Sequence, residues 1–477
     1  MKKIGEIGSK TELSEFEFIV QGNVEKSDYI VAKQGKNLVY AQVIEMFSGI
    51  FEGKEVTIGK ANIIGYLEDG VIQKLRRPLK PKTPLYLAKR EDMINFLKLI
   101  RDPKKGIFYG FLERAEKIPV YLDVNTFTTR HIAILAQSGG GKSYDVGIII
   151  EELLDKEIPV IVFDPHGEYY TLKYPNDDEK DLNAMDYFNI SPKGYKNIIV
   201  YAPDPNIAPT ADKKLQLRGY NLSLNEILEL LPYELKGKHI GIIAEAIDRL
   251  EGEFDLNLLK EEIKKDENDE KWEVIAMLEQ VIAPEIFTQT PVSLEEIVRI
   301  GGASIINLRG TPQWLKEVIV NRLIKDLFYA RMLGKVPPFL IVLEEAHNFV
   351  PSGKKTICSE IIKTVASEGR KFGVGLCVVT QRAAKIDEDV LSQCGTKIIK
   401  RISSKADLEA ILTSAETLER EFLEEIQRLP PWMSLVTGLT TEVPLFVRVR
   451  VRKSKHGGVT PNILKEIRKW KEKNERS

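Results

Sequence analysis

A glycine-rich segment that ends in lysine and serine carries the clearest chemical signal in the sequence. It reads AQSGGGKS from Ala136 to Ser143, follows an apolar run and opens a stretch of helical character. Glycines let backbone N–H groups surround phosphate oxygens, and the beginning of a helix favours an anion. The lysine can reach the β- and γ-phosphates, and the serine hydroxyl can bind Mg²⁺. The pattern predicts a Walker A loop for a nucleoside triphosphate, formed by Gly139, Gly140, Gly141, Lys142 and Ser143.

One position departs from the Walker A pattern. Ala136 stands where the first glycine is expected, which restricts the backbone at the entrance of the loop but leaves the phosphate cradle intact. The alternative interpretation is a glycine-rich turn with an incidental lysine and serine.

Two carboxylates follow a second apolar run. Phe339–Leu343 predicts a buried strand, and Glu344 and Glu345 come at its end. Ligands bind at the carboxyl ends of the strands in parallel sheets, and neighbouring side chains of a strand point apart. We therefore expect Glu344 to bind Mg²⁺ and Glu345 to polarise the attacking water. The alternative is a pair of solvated acids that open the next loop.

Three further polar residues stand at the ends of predicted elements. Asp164, in FDPHGEY, is expected to orient water or metal, or else to form an Asp-Pro turn. Gln381 ends another strand and can sense the γ-phosphate, or is an ordinary strand-end amide. Arg370 ends a helix and can reach the phosphates, or else offsets the negative end of the helix dipole.

Arg130 precedes the strand His131–Ala136 that leads to the glycine-rich segment. Six residues at about 3.3 Å each place about 20 Å between Arg130 and the phosphates of its own chain. An arginine side chain does not span that distance. If Arg130 is catalytic, it must serve the nucleotide of a neighbouring subunit in trans. The alternative is a solvated arginine at the start of a strand.

Alternating strand and helix patterns surround these residues. Strands His131–Ala136 and Val160–Phe163 flank a predicted helix, Lys142–Leu154, which is the pattern of a parallel βαβ unit. Short strands and turns before residue 118, with a helix near Glu91–Ile100, predict a small barrel of roughly six strands. Leu256, Leu259, Ile263, Ile275, Leu278 and Ile282 follow helical spacing in a charged region.

These patterns divide the chain into five segments. We predict an N-terminal β-barrel over 1–118, an α/β core over 119–204 and 301–456, a helical insertion over 205–300, and a basic tail over 457–477.

The composition is that of a folded globular protein. The 477 residues are 43% hydrophobic and 29% charged, and 69 Lys and Arg against 70 Asp and Glu give a net charge of −1. This balance excludes a polycation that coats nucleic acid through bulk charge, so any contact with DNA must come from local patches.

Cysteine use and hydropathy indicate the cytoplasm. Cys358, Cys377 and Cys394 have no CxxC spacing and are expected to be buried thiols. Five histidines without a Cys/His cluster do not suggest a structural zinc site. We find neither an apolar run of about 18 residues nor a signal peptide at the start, so no membrane span is expected.

Taken together, the motifs resemble the HerA branch of the HerA/FtsK family of ring-shaped DNA-pumping ATPases. The resemblance rests on the early barrel, Arg130, Gly139–Ser143, FDPHGEY, Glu344-Glu345-Ala346-His347 and Thr380-Gln381-Arg382, in this order. It implies a RecA-like P-loop ATPase core with a parallel-containing sheet, ATP and Mg²⁺ as ligands, and a homohexamer that translocates along duplex DNA in end resection. It also implies a NurA-type nuclease and the Mre11–Rad50 machinery as partners.

The same resemblance assigns roles to individual residues. It implies that Lys142, Ser143, Glu344 and Glu345 serve nucleotide and metal, that Arg130 acts in trans and that Arg370 acts in cis. It further implies that the segment Lys453–His456, with Lys455 and His456, passes near the base of the nucleotide.

Local basic patches are the candidates for DNA contacts. Seven cations and no acid occur between Gln73 and Arg90, namely Lys74, Arg76, Arg77, Lys80, Lys82, Lys89 and Arg90. Alternation in Val447–Arg452 predicts three arginines on one face of a strand, facing DNA, a neighbouring subunit or the nucleotide. Lys354 and Lys355 follow the Glu344–Glu345 strand in a loop suited to phosphate contacts in a channel.

Two other functions fit the same motifs. One is an ATPase that pumps DNA or protein across a membrane, as secretion and conjugation motors do. The other is a nucleotide-gated scaffold without motor activity. Paired acids and Arg130 favour hydrolysis over the scaffold, because a switch needs no arginine in trans.

Overall fold

The computed structural model describes residues 3–51, 53–115, 117–231, 235–250, 252–415, 417–458 and 463–474. They belong to two compact units, which contain Met1–Gly140 with Ala366–Arg450, and Gly141–Val365 with Val451–Ser477. The chain thus passes from one unit to the other first within the glycine-rich segment. The five-segment division remains a prediction, and part of its basic tail, 459–462 and 475–477, lies outside the described residues.

Strands predominate before Gly141. They are β1 (Lys3–Thr11), β2 (Glu15–Val20), β3 (Tyr29–Gln34), β4 (Asn37–Phe51), β5 (Lys54–Glu68), β6 (Val71–Gln73), β7 (Pro84–Leu87), β8 (Gly106–Leu112), β9 (Pro119–Asp123) and β10 (Ile132–Leu135), with helices α1 (Arg90–Phe96) and α2 (Val124–Thr129).

Helices and strands alternate from Gly141 onward. The elements up to Val365 are α3 (Lys142–Leu154), β11 (Val160–Asp164), α4 (Glu179–Phe188), β12 (Ile198–Ala202), β13 (Lys213–Lys214), β14 (Leu217–Arg218), α5 (Leu224–Leu228), α6 (Gly237–Arg249), α7 (Leu256–Ile263), α8 (Lys271–Ile282), β15 (Phe287–Thr288), α9 (Leu294–Ile297), β16 (Ala303–Asn307), α10 (Gln313–Met332) and β17 (Phe339–Glu344). They are followed by α11 (Ser359–Phe372), β18 (Val374–Thr380), α12 (Glu388–Gln393), β19 (Thr396–Ile399), α13 (Lys405–Ser414), α14 (Phe422–Arg428), β20 (Met433–Gly438), β21 (Leu445–Val449) and α15 (Ile463–Asn474).

The predicted N-terminal barrel is confirmed. Strands pair in the order β2-β1-β7-β3-β4-β5, and β5 pairs again with β2, which closes a ring of six strands. Strand β6 extends the sheet from β5 outside the ring. Side chains that alternate along the strands fill the interior, among them Ile4, Phe16, Phe18, Ile30, Val39 and Leu85.

The unit that begins at Gly141 contains parallel strands in the order β12-β16-β11-β17. The residues of β16, β11 and β17 are all buried, as expected of a parallel sheet covered on both faces. In register, Asp164 pairs with Asn307, and Phe163 pairs with Leu343. The strands therefore end at one edge, where Asp164, Asn307 and Glu344 lie together.

The other unit contains both parallel and antiparallel strands. Strand β10 lies between β18 and β19 and is parallel to both, and β20, β21, β8 and β9 continue antiparallel. The predicted α/β fold with a parallel-containing sheet is thus confirmed.

The predicted helical insertion is confirmed as well. Helices α5 to α8 enclose one apolar cluster that also takes in Val318 of α10. Leu256, Leu259, Ile263, Ile275 and Leu278 belong to its buried core, and Ile282 packs against it partly buried.

The prediction of an arginine-bearing strand face over Val447–Arg452 is wrong. Strand β21 ends at Val449, so Arg450 and Arg452 do not share a face with the exposed Arg448. Both are buried, at 0% and 1% exposure. The chain continues beside β8, where the Arg450 amide donates to the carbonyl of Tyr109 at 3.0 Å and Arg450 Nε donates to the carbonyl of Phe108 at 3.1 Å.

The expected burial of Cys358, Cys377 and Cys394 is confirmed. Within the described ranges, we find no helix that combines the length and the apolar character required to cross a membrane.

Candidate nucleotide-binding site

The glycine-rich segment connects β10 to α3 and has the backbone that its sequence predicts. Gly139 and Gly141 adopt φ values of 71° and 87°, which L-residues rarely adopt, and helix α3 begins directly afterwards at Lys142. The Gly140 amide closes the turn on the carbonyl of Gln137 at 3.0 Å. Ala136 is buried and outside the left-handed region, so glycine is not needed there.

Lys142 lies beside the second of the two predicted acids. Its Nζ atom is 3.9 Å from Oε1 of Glu345, and both side chains are about nine-tenths buried. Glu345 follows β17 with a φ of 50°, a conformation that costs a non-glycine residue of the order of 1–3 kcal/mol and is frequent at functional sites. This bend turns Glu345 out of the line of the strand and toward Lys142.

Glu344 is enclosed on the opposite side of the strand end. It is 3% exposed and accepts a hydrogen bond from the hydroxyl of Tyr169. Burial raises the pKa of Glu344 to about 8, and the charges of Asp164 and Glu345 act in the same direction. The Tyr169 hydrogen bond and Lys142 oppose that rise in pKa. A cation bound beside Glu344 would favour its ionised form.

Two histidines approach Glu345. His347 Nδ1 lies 3.4 Å from Glu345 Oε2, and His166 Nε2 lies 4.0 Å from Oε1. Among the residues described here, the buried Oε2 atom accepts no hydrogen bond. A carboxylate that retains acceptor capacity in a buried site is suited to polarise a water molecule.

The carboxylate of Asp164 accepts hydrogen bonds from three backbone amides. Its oxygens accept from the amides of His166 at 3.2 Å, Gly167 at 2.8 Å and Tyr169 at 3.0 Å. These bonds form the turn after β11, as in the turn alternative from the sequence. Burial raises the pKa of Asp164, and the three amides partly oppose the rise. A role in orienting water or metal remains a prediction.

The residues present are consistent with ATP and Mg²⁺. Ser143 lies partly exposed in the first turn of α3, and Glu344 supplies the oxygen ligand that Mg²⁺ prefers. Asp164, Glu344 and Glu345 place three carboxyl groups near the ammonium of Lys142. Such a donor set suits a divalent cation, while the glycine amides suit phosphate oxygens.

Gln381 directly follows β18 and is partly buried. Its neighbour Thr380 pairs with Leu135 of β10, and the amide of Ala136 bonds to the Thr380 carbonyl at 3.3 Å. The register therefore brings Gln381 to the entrance of the glycine-rich segment.

Arg130 and Arg370 line one cavity, of about 860 Å³, in the unit that contains β10. Arg130 ends α2, and Arg370 is exposed in the last turn of α11. His131 and Gly395, which precede β10 and β19, line the same cavity. It lies where these strands begin, while the glycine-rich segment follows the other end of β10. The cis role expected for Arg370 is not tested by this placement.

A family model described as "Helicase HerA, central domain" matches residues 107–327. A "DNA double-strand break repair helicase HerA" from Sulfurisphaera tokodaii is 28% identical over 419 residues, covering 85% of this chain and 80% of that protein. A "Probable DNA double-strand break repair helicase HerA" from Methanocaldococcus jannaschii is 26% identical and covers 98% of both chains. The chain is similar to HerA helicases over most of its length.

A solved structure agrees with the fold described above. VirB4 of Thermoanaerobacter pseudethanolicus superposes with a TM-score of 0.51 at 13% identity, over 74% of this chain and 97% of that one. At this identity the likeness shows the P-loop ATPase fold alone.

The segment Lys453–His456 runs beside helix α3, which the glycine-rich segment opens. Lys453 Nζ bonds to Glu152 at 2.9 Å and to Asp155 at 2.7 Å, and Lys455 pairs with Asp177. The His456 ring meets the Tyr144 ring edge-on at 5.4 Å. Burial lowers the pKa of His456 to about 4, and Arg452 adds to the shift. Contact of this segment with a nucleotide base remains a prediction.

Sequence analysis missed two contributors to the site, Tyr169 and His166. Both belong to the FDPHGEYY motif, from which only Asp164 was selected. The signal was an aromatic hydroxyl and an imidazole within five residues of a strand end that faces a phosphate loop. The predicted DNA-contact residues are accessible: all seven cations between Gln73 and Arg90 are exposed or partly exposed, as are Lys354 and Lys355.

Proposed function

We propose that this chain is an ATP hydrolase that uses ATP with Mg²⁺ to translocate along duplex DNA. The observation that carries the proposal is Lys142 of a glycine-rich phosphate loop beside two buried acids, Glu344 and Glu345. The relatives named DNA double-strand break repair helicase supply the substrate, DNA.

In the proposed reaction each residue has one task. The amides of Gly139, Gly140 and Gly141 and the ammonium of Lys142 bind the phosphates and neutralise charge that develops on them. Ser143 and Glu344 hold Mg²⁺, which would supply further charge neutralisation. Glu345 orients the attacking water and accepts its proton. Gln381 contacts the γ-phosphate through its amide.

Arg130 is proposed to act on the nucleotide of a neighbouring subunit. The cavity that Arg130 shares with Arg370 supports a joint role, in which both guanidinium groups meet the same phosphates in trans. The cis role that the resemblance implied for Arg370 is the alternative to this joint role. Such shared sites require an oligomer, and we propose a homohexameric ring.

DNA is proposed to contact Lys354 and Lys355, in the loop after β17, through its phosphates. The accessible cations of 74–90 are a second candidate surface, for DNA or for an acidic partner. We propose a NurA-type nuclease as the partner that receives DNA ends during end resection, with Mre11–Rad50 acting in the same process, in the cytoplasm.

ATP turnover with and without linear duplex DNA tests the proposal. We would compare wild type, Arg130→Ala, Lys142→Ala and an equimolar mixture of the two variants, with Arg428→Ala as the control for loss of an exposed arginine. DNA should stimulate the wild type and Arg428→Ala, and each site variant alone should be inactive. Mixing should restore part of the turnover, because some interfaces then pair an intact Arg130 with an intact Lys142.

Two results would contradict the proposal. Full activity in Arg130→Ala would remove the trans assignment. ATP turnover that duplex DNA does not stimulate would favour a pump for another substrate or a nucleotide-gated scaffold.

A further inference from the structure

Tyr169 reaches the acid that would hold the metal from a distant part of the chain. It is 2% exposed, and its hydroxyl donates to Oε1 of Glu344, although 175 residues separate the two. Both groups are buried, so water does not compete for this hydrogen bond. In the proposed site, the other carboxylate oxygen, Oε2, would bind the cation.

The length of the Glu344 side chain explains why a hydrogen bond to it would assist metal binding. In P-loop NTPases the corresponding metal-binding acid is an aspartate. Glutamate has one more methylene and one more rotatable bond than aspartate. Its carboxylate can therefore adopt more positions, and it loses more conformational entropy when it binds a metal. A donor that holds Oε1 removes this freedom before the metal binds.

The backbone around Tyr169 is itself held in place. Asp164 accepts from the Tyr169 amide at 3.0 Å, and a short 3₁₀ helix begins at Tyr169 and ends at Lys173. Asp164 ends β11, next to β17, which ends at Glu344. The position of the hydroxyl is therefore set by the same pair of strands that sets Glu344.

We infer that Tyr169 is a positioning residue that orients Glu344 for Mg²⁺ through its hydroxyl. The inference rests on the proposed function, because it assigns a metal-binding task to Glu344. It concerns the affinity for Mg²⁺ and leaves the contacts with the nucleotide itself unchanged.

The test measures binding of a fluorescent ADP analogue to the full chain while Mg²⁺ is titrated, with a parallel measurement in EDTA. Tyr169→Phe removes only the hydroxyl. Tyr201→Phe is the matched control, because Tyr201 is another buried tyrosine of the same unit whose hydroxyl bonds to a glutamate, Glu296, at 2.9 Å.

We expect Tyr169→Phe to raise the half-saturating Mg²⁺ concentration about tenfold, the usual effect of losing a group that orients a metal ligand. Tyr201→Phe should leave this concentration unchanged, and both variants should bind the analogue in EDTA as the wild type does. In a Glu344→Asp background, Tyr169→Phe should have little further effect, because the shorter carboxylate no longer reaches the hydroxyl.

An unchanged Mg²⁺ requirement in Tyr169→Phe, with DNA-stimulated turnover in the wild type, would overturn this inference alone. So would an equal effect of Tyr169→Phe in the wild-type and Glu344→Asp backgrounds. A wild-type protein that binds no nucleotide would overturn the proposed function together with it.

Discussion

The Nζ atom of Lys142 lies 3.9 Å from Oε1 of Glu345. The first residue opens helix α3, and the second follows strand β17 with a positive φ. The pair brings the cation proposed for the phosphates next to the carboxylate proposed for the water. Because the two tasks differ, substitutions should separate nucleotide binding from hydrolysis.

Glu345→Gln should retain nucleotide binding and lose turnover by about 10²–10⁴-fold, the usual contribution of a general base. Lys142→Ala should lose nucleotide binding itself. Equilibrium binding of labelled ATP and steady-state hydrolysis distinguish the two, with Glu360→Gln on the exposed face of α11 as a control. A Glu345→Gln protein that still hydrolyses ATP at the wild-type rate would disprove the assignment.

Replacing both Arg130 and Arg370 by alanine should reduce ATP turnover by less than the product of the two single reductions. Arg130 and Arg370 line one cavity and are proposed to act on one phosphate group, so each single alanine variant should already lose most of the turnover. The Arg130→Ala/Arg370→Ala double variant should then resemble the more impaired single variant in steady-state hydrolysis. Multiplicative losses would indicate separate roles, including the cis role implied for Arg370.

Glu151→Ala should destabilise the protein by about 3 kcal/mol or more, because it leaves the buried Arg452 without its counter-ion. Glu151 is 0% exposed, lies 3.6 Å from Arg452 Nε and accepts from the amides of Lys453 and Ser454. Urea unfolding should show the loss. Glu245→Ala removes an exposed ion pair on α6 and should change the free energy of unfolding by less than about 0.5 kcal/mol. Equal effects in the two variants would contradict the prediction.

Two glycines within helices should respond oppositely to alanine. A Cβ atom on Gly147 of α3 would come within 2.4 Å of the Arg452 guanidinium carbon, whereas one on Gly241 of α6 would meet nothing within 4 Å. Gly241→Ala should stabilise by about 0.5–1 kcal/mol through helix propensity. Gly147→Ala should destabilise by about 1–3 kcal/mol because a buried side chain must move. Thermal unfolding compares them, and a stabilised Gly147→Ala protein would be inconsistent with the packing.

Acid should destabilise the protein through His131. Burial lowers the pKa of His131 to about 4, and its Nδ1 atom accepts from the amide of Leu376 at 3.0 Å. The unfolded chain takes up the proton near pH 6.5 and the folded chain near pH 4. The contribution of neutral His131 to the free energy of unfolding is therefore complete above the unfolded-state pKa and is lost as the pH falls through the folded-state pKa. The total loss is about 3 kcal/mol.

Urea unfolding of His131→Asn between about pH 4 and pH 7 checks this contribution. Asparagine tolerates the φ of 56° at this position and does not titrate, so the variant should show a shallower dependence of stability on pH. Identical slopes in the wild type and the variant would exclude His131 as the cause.

The phosphate loop, helix α3 and the early barrel were predictable because their signals are local. Three glycines followed by Lys142 and Ser143 specify a turn and a helix start within a few residues. The predicted helix Lys142–Leu154 has the bounds that the structure shows. Short strand-like runs separated by turns likewise predicted a small barrel of roughly six strands, which the structure confirms.

Contacts between distant parts of the chain were decided by the tertiary structure. Strand pairing brings Tyr169 to Glu344, and the returning chain buries Arg452 against Glu151, which is far from it in sequence. Periodicity favoured an arginine-bearing strand to Arg452, but β21 ends at Val449, and Arg450 and Arg452 are buried. Periodicity reports only which neighbours share a face, whereas burial and pairing depend on what the whole chain packs against.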